Sequence, residues 1–510
     1  MKTKPMTSTN DSTEETNSRR TIPRRRFLGT VSAASVGLAG CSSSSSSSDG
    51  GSTGESNSTS ADVPSDKTVV EWAIYPWIKD SMPELRQALW DDGLSEDIYV
   101  KHRNLPGNTP GDIRSQYQQW LSAGRSTPDI LGADTAFTIP FVAQRQVANL
   151  SDRLSNESIS TMEDNYVTQL FPTIKSKEGD FFGVQFSSDI SAILYRKDLV
   201  KEAGYDPEEE NWMTESMSWK RFSNVIKDVQ KQTDTKHGFV FQANDYEGLS
   251  CCNFNEWMTS HGGAYFGGRD NLFGPVGDRP ITVNEEPVKN AIKMVRTFIH
   301  GQDDEHSLEG YAGNISPEQV LQFTEESSRN VFTNGNSVAL RAWPFSWQKA
   351  GSEDGFGEDL GLMAHPAGVP ESEAKYDGTG GHGRSFIGGY ANLLNPNSKN
   401  IDAATQVLEH MIGNVEFRYV LLNSAVIPPN LEVLKSDKFQ QAPVLGRFID
   451  LIETTAQRAI SRPATISWNP ESTAISNQVN SSLGRQKSPS KAMSDLQTKI
   501  KQIEDRLGDQ

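Results

Sequence analysis

Asp-Ile-Ser-Ala-Ile-Leu-Tyr-Arg-Lys-Asp-Leu-Val-Lys-Glu-Ala-Gly, residues 189 to 204, sets a strand before a short helix and closes the helix with glycine. Ile190 to Tyr195 is apolar and of strand length, the polar run from Arg196 carries Leu199 and Val200, and Gly204 tolerates the backbone angles that end a helix. Ser187-Ser188-Asp189 divides this strand from an earlier apolar run, Phe181 to Phe186. Toward the amino terminus the alternation recurs. Thr68 to Ile74 reads as a strand, Met82 to Trp90 as a helix through Leu85 and Leu89, and Ile98 to His102 as a strand. Asp112 to Gly124 then reads as a helix stopped by glycine, and Pro128 to Gly132 as a third strand. Such alternation defines an α/β chain with mainly parallel sheets and helices on their faces.

In sheets of this kind ligands sit beyond the carboxyl ends of the strands. That rule puts Tyr75-Pro76-Trp77 and Ala133-Asp134-Thr135 on one rim, although Asp134 is equally suited to cap the helix that follows it. Toward the carboxyl terminus, Ser218 is placed to cap a helix whose apolar positions are Trp219, Phe222, Val225, Ile226 and Val229. Lys236 to Phe241 enters another strand. In Asn336 to Trp347, the apolar run Val338-Ala339-Leu340 reads as a buried strand, and Trp343, Phe345 and Trp347 follow around Pro344. Those rings either fill core or present flat faces to the C–H side of a pyranose, with Arg341 or free backbone groups on its hydroxyls.

At 510 residues the chain has room for two or three cores of about 150 residues each. Its 66 acidic and 49 Lys plus Arg side chains give a formal charge of −17, a sign that repels nucleic-acid phosphates. The acidity is dispersed, which suits a halophilic protein kept soluble in concentrated salt as well as an ordinary acidic surface. Arg24-Arg25-Arg26-Phe27-Leu28 precedes an apolar small-residue run ending in Leu38-Ala39-Gly40-Cys41. The first part resembles a twin-arginine export signal and the second a lipobox, so residues 1–40 are expected to be removed and Cys41 to carry lipid. Ser42 onward to about Ser65 has nothing to bury and reads as a disordered Ser/Gly tether over 41–65. Cys251 and Cys252 are adjacent, which disfavours a bond between them, and are expected to be buried packing residues. With eight scattered His, neither a metal site nor a cofactor is expected.

Asp189 to Gly204, then Ser218-Trp219-Lys220-Arg221-Phe222 and His237-Gly238-Phe239, resemble the middle of extracellular solute-binding proteins of the carbohydrate type, the capture subunits of ATP-driven importers related to maltose- and trehalose-binding proteins. The resemblance continues through Glu256-Trp257, Gly262-Gly263-Ala264, Asn336 to Trp347, Pro366-Ala367-Gly368 and Ile387-Gly388-Gly389-Tyr390. It runs on through Ser398-Lys399-Asn400, the helix Ala403 to Ile412, Arg462-Pro463, Trp468 and a last helix with Leu496, Ile500, Ile503 and Leu507. It implies a two-lobed periplasmic-binding-protein-like fold with an interlobe hinge and cleft. Lobe one would comprise 66–190 with 391–442 and lobe two 195–388 with 446–506, with glycines at 388 and 389 serving the hinge.

The resemblance also implies a site. Asp134 and Asp189 would accept hydroxyls, Trp257 would form one stacking wall and Trp343 with Trp347 a second, and Arg462 would donate a fork of N–H groups. Gly388 and Gly389 would offer backbone amides, Tyr75 and Trp77 follow from their place at a strand end, and Trp468 stands between ligand contact and interlobe packing. The implied partners are a sugar, the permease subunits of an importer and the membrane reached through the lipid, with the protein itself a monomer. A surface-anchored glycosidase using Asp134 and Asp189 is the competing reading, and the same fold binding a polyol, osmolyte or peptide is another. Glu353 to Gly383, rich in Gly and acidic residues, matches no pattern.

Overall fold

A computed structural model describes residues 64–105 and 110–508. The expected export signal, the lipidation site Cys41 and all but the last two residues of the tether lie outside the described residues. Among the described residues eleven strands form, in chain order. They are Thr68–Ala73 (β1), Ile98–Arg103 (β2), Ile130–Asp134 (β3), Val184–Gln185 (β4), Asp189–Ile190 (β5) and Ala192–Arg196 (β6), followed by His237–Val240 (β7), Ser337–Ala342 (β8), Leu360–Met363 (β9), Ile387–Gly388 (β10) and Tyr390–Leu394 (β11). One sheet has the order β2-β1-β3-β11-β4 and a second the order β7-β8-β6-β9, while β5 and β10 pair as a ribbon between them. Two α/β lobes therefore share a hinge.

The expectation of mainly parallel sheets is corrected: both are mixed. In the first, β1 pairs parallel with β2 and β3, but β11 runs antiparallel to β3 and β4. In the second, β7 and β8 are parallel, whereas β6 runs antiparallel to β8 and β9. The reversed strands, β11 and β6, are the ones that follow the hinge. A chain crossing from the other lobe arrives at the cleft edge of the sheet and has to run away from it, against strands that end there. Tyr75 and Trp77 after β1, Asp134 at the end of β3 and Trp343 after β8 stand at the cleft, where they form part of its walls.

Local chemistry explains the elements that hold this frame. Trp72 of β1 is fully buried and donates its indole N–H to Asn392 Oδ1 of β11 at 2.9 Å, and Tyr117 Oη donates to the carbonyls of Ala73 and Gly132. Gly124 at φ +62° ends the turn after helix Pro110–Ser122. Ser218 caps helix Trp219–Gln232 by accepting from Arg221 N, and the apolar stripe Trp219, Phe222, Val225, Ile226 and Val229 is buried. Burying such side chains stabilises the lobe by about 1.5–3 kcal/mol each. The segment from Glu353 to Gly383 contributes β9, the short apolar run Leu-Gly-Leu-Met on the sheet edge, and none of its residues lines the cleft.

At the hinge, Gly388 pairs with Asp189 and Ile387 with Ile190. Gly389 has φ +139°, and a Cβ there would lie 2.3 Å from Ser187 O, so the two crossovers touch only because this residue has no side chain.

Candidate functional site

A cavity of about 810 Å³ lies between the lobes. On the lobe-one side, Tyr75 and Trp77 sit just beyond β1, where Pro76 opens a single 3-10 turn, and Tyr390 begins β11. Their rings form one wall: Tyr75 stacks on Trp77 with centroids 6.2 Å apart and meets Tyr390 edge-on at 4.7 Å. Trp77 is 41% exposed, a large share for the biggest apolar side chain. On the opposite side, Trp343 precedes Pro344, which starts helix Pro344–Gly351 because a first-turn residue needs no N–H. Trp343 packs edge-on against Phe386, the Arg341 guanidinium lies 4.1 Å from its ring centroid, and Phe345 beside it is 38% exposed.

Between the walls runs a charged cluster that spans both lobes. Arg462 Nη2 donates to Asp134 Oδ1 at 2.7 Å, and Nη1 donates to Glu247 Oε1 at 3.0 Å. Trp468 Nε1 donates to the same Glu247 oxygen at 3.3 Å. Asp134 Oδ1 also accepts from Ala136 N at 2.8 Å, so the turn-making and ion-pairing roles of this carboxylate coexist. Burial pushes the Asp189 carboxyl up to about 7, assisted by the negative charge of Asp134. Burial raises Glu247 too, against the nearby Arg462. Burial opposes the charge on Arg462, but Asp134 and Glu247 more than offset it and raise its pKa. The cavity thus offers aromatic faces, carboxyl acceptors and a guanidinium fork, a set that can hold a ligand with an apolar face and a hydroxyl edge.

Eight of the residues singled out from sequence line this cavity: Tyr75, Trp77, Asp134, Asp189, Trp343, Gly388, Gly389 and Arg462. Three do not, and their assignment to ligand contact is corrected. Trp257 is buried edge-on against Phe241, Trp347 is fully buried with its N–H on Ala342 O, and Trp468 is buried against Tyr265. Trp347 lies one helical turn beyond Trp343 and packs into lobe two, whereas Trp343 stands at the helix mouth; Trp468 reaches the site only through Glu247. Arg341 is likewise unavailable to ligand. Every residue of β8 is buried, and Arg341 is held by both Glu256 oxygens and by Gln242.

Sequence reasoning passed over Glu247, Tyr390 and the cysteine pair. Glu247 lies in the segment that follows β7, well beyond its end at Val240, so the strand-end rule that picked out Tyr75 and Asp134 points to its segment but not to the residue. The expectation that Cys251 and Cys252 are separate packing residues is also corrected: both are buried, but their sulfurs are bonded to each other and both line the cavity. They lie in a single π-helical turn, Leu249–Asn253, whose wider winding sets successive side chains closer in direction than an α-helix does. Among the described residues no group of three or more His, Cys, Asp or Glu is arranged to hold a metal ion, and no helix is long and apolar enough to cross a membrane.

Two α/β lobes on a hinge ribbon, with a cleft walled by aromatic rings and carboxylates, define a ligand-capture protein. The chain belongs to the bacterial extracellular solute-binding protein family, whose model matches residues 96–446. It is 27% identical over 400 residues to a probable ABC transporter-binding protein of Deinococcus radiodurans, covering 76% of this chain and 83% of the relative. Among solved structures it resembles maltose-bound MalE3 of T. maritima, with a TM-score of 0.68 and 21% identity over 85% of this chain and 99% of the other. It also resembles an ABC transporter solute-binding protein of Thermotoga lettingae bound with α-D-tagatose, with a TM-score of 0.64 and 16% identity over 86% and 100%. At these identities the solved structures establish the fold.

Proposed function

We propose that this chain is the capture subunit of an ATP-driven importer, taking a di- or oligosaccharide in its cleft and delivering it to a membrane permease. The observation that carries the reading is the pair of aromatic walls, Tyr75, Trp77 and Tyr390 against Trp343 and Phe345, on either side of the Asp134–Arg462–Glu247 cluster. Stacked rings take the C–H faces of sugar rings, and charged groups make hydrogen bonds to hydroxyls about twice as strong as neutral ones. The Deinococcus relative is called a transporter-binding protein and the T. maritima structure holds maltose, which supports the same reading. Lobe one comprises 66–190 with 391–442 and lobe two 195–388 with 446–506. Asp134, Asp189 and Arg462 bind hydroxyls, and Gly388 with Gly389 lets the lobes close. The twin-arginine signal exports the chain as a monomer, and lipid on Cys41 holds it at the outer face of the cell membrane.

Calorimetric titration with maltose, maltotriose and D-mannitol tests the capture function. Saturable binding of a saccharide with no new product supports it, and binding of none of them defeats it. One observation favours a second reading: Asp189 lies near neutrality beside an Asp134 held by Arg462, an unequal carboxylate pair of the sort glycosidases use. Chromatographic detection of shortened saccharides after long incubation would select that reading over capture. For the anchor, an unmodified Cys41 in the mass spectrum of the mature protein would remove the lipid.

A further inference from the structure

We infer that the Cys251–Cys252 disulfide is part of the binding surface, an apolar floor for one ring of the saccharide whose integrity depends on oxidation. The inference rests on the sugar reading of the cleft and deepens it. Three observations carry it. The bonded pair lines the cavity directly after Tyr246, Glu247 and Gly248, which line it too. Glu247, four residues before Cys251, is the lobe-two anchor of Arg462, so the sulfurs lie close in the chain to the groups best able to bond hydroxyls. The turn that carries the sulfurs is fastened on both flanks. Ser250 Oγ lies 2.6 Å from Ser472 Oγ, the Ser250 carbonyl accepts from Tyr265 Oη, and Asn253 Nδ2 donates to Gln242 Oε1 at 3.2 Å. Gln242 in turn donates to Ser328 Oγ and to the Arg341 carbonyl.

The chemistry follows from the bond. A disulfide has no S–H to satisfy, and its two polarisable sulfurs present one compact apolar face, fit for the C–H side of a sugar ring whose hydroxyls reach Glu247 and Arg462. Reduction by a phosphine with one water breaks the S–S bond, oxidises the phosphine to its oxide and leaves two thiols, one proton on each sulfur. Unbonded sulfurs cannot remain at bonding distance, so they separate, and the floor gains two weak donors where the cavity meets the turn. An extracytoplasmic compartment keeps the pair oxidised, and reducing surroundings weaken capture.

The test titrates maltose and maltotriose into the full chain in three forms: as isolated, reduced with tris(2-carboxyethyl)phosphine, and as the Cys251→Ala/Cys252→Ala variant. The expected result is affinity about tenfold weaker in the last two forms, with circular dichroism unchanged. Saturating saccharide is also expected to slow reduction severalfold, because a covered floor is closed to the phosphine. Equal affinity in all three forms overturns the subsite while leaving saccharide capture standing. Failure of both sugars to bind the untreated protein overturns the sugar reading and the subsite with it. Alkylation of Cys251 or Cys252 by iodoacetamide in the unfolded, unreduced chain shows that the bond is absent and overturns the inference by itself.

Discussion

Two arginines in this protein each lie between two carboxylates, and they do opposite work. Arg279 is fully buried beneath the last two helices, Trp468–Leu483 and Pro489–Gly508, where Nη2 donates to Glu471 Oε2 at 3.1 Å and to Glu504 Oε1 at 2.7 Å. Burial holds the Glu471 carboxyl up at about 8. Against the cost of its own burial, Glu504 is held down at about 2 by hydrogen bonds from Glu471 and Arg279. Arg462 has the same partner chemistry, but Asp134 belongs to one lobe and Glu247 to the other, and all three residues line the cavity. Where every partner belongs to one packed body, an ion cluster fixes that body. Where the partners sit on opposite sides of a hinge and face a cavity, the same cluster is open to a ligand and is sensitive to lobe closure.

This contrast can be broken by mutation, and the largest effect should come from the closed cluster. Arg279→Met leaves the Glu504 carboxylate and its neutral neighbour Glu471 buried without the cation and should lower unfolding free energy by about 3–5 kcal/mol, measured by urea denaturation, with saccharide affinity unchanged. An affinity loss without a stability loss would reverse the two roles. Arg462→Met should weaken saccharide binding about 100-fold by calorimetry, since a charge-assisted donor is worth about 1.5–3 kcal/mol, with a smaller stability change because water can reach its partners through the cavity. Trp343→Ala should cost about 1 kcal/mol of binding, whereas Trp347→Ala should leave affinity unaltered and lower the melting temperature, the reverse of equivalent walls.

The smallest expected effect is on pH dependence. Asp189 is neutral below about 7 and ionised above it. An ionised carboxylate is the stronger acceptor for a hydroxyl, so affinity should rise severalfold between pH 6 and 8 and become flat in Asp189→Asn. Stability runs the other way. The folded value lies above the unfolded one, so the contribution of Asp189 is fully present below the ordinary Asp value and is lost as pH rises through about 7. Melting curves of Asp189→Asn should therefore exceed those of the native chain at pH 8 and converge with them near pH 4. Affinity unchanged between pH 6 and 8 would place Asp189 outside the ligand's reach.

Periodicity along the chain was enough to give the strand-and-helix alternation, the capped helix at Trp219 and the rims at Tyr75, Trp77 and Asp134, because each depends on a few neighbouring residues obeying local steric rules. It was also enough to mark Asn336 to Trp347 as aromatic and important. Direction and depth were decided elsewhere. Whether β6 and β11 run with or against their neighbours depends on which lobe the chain has just left. Whether Trp343 or Trp347 meets solvent depends on which side of one helical turn packs against lobe two. Arg341 looked like a ligand donor until its strand proved buried along its whole length, and Cys251 and Cys252 looked like inert neighbours until a π-helical turn joined their sulfurs against the cavity. Local sequence specifies backbone preference and amphipathic pattern. Burial, charge pairing and cleft position are sums over residues hundreds of positions apart, such as Asp134, Glu247 and Arg462, and only the folded chain brings them within bonding distance.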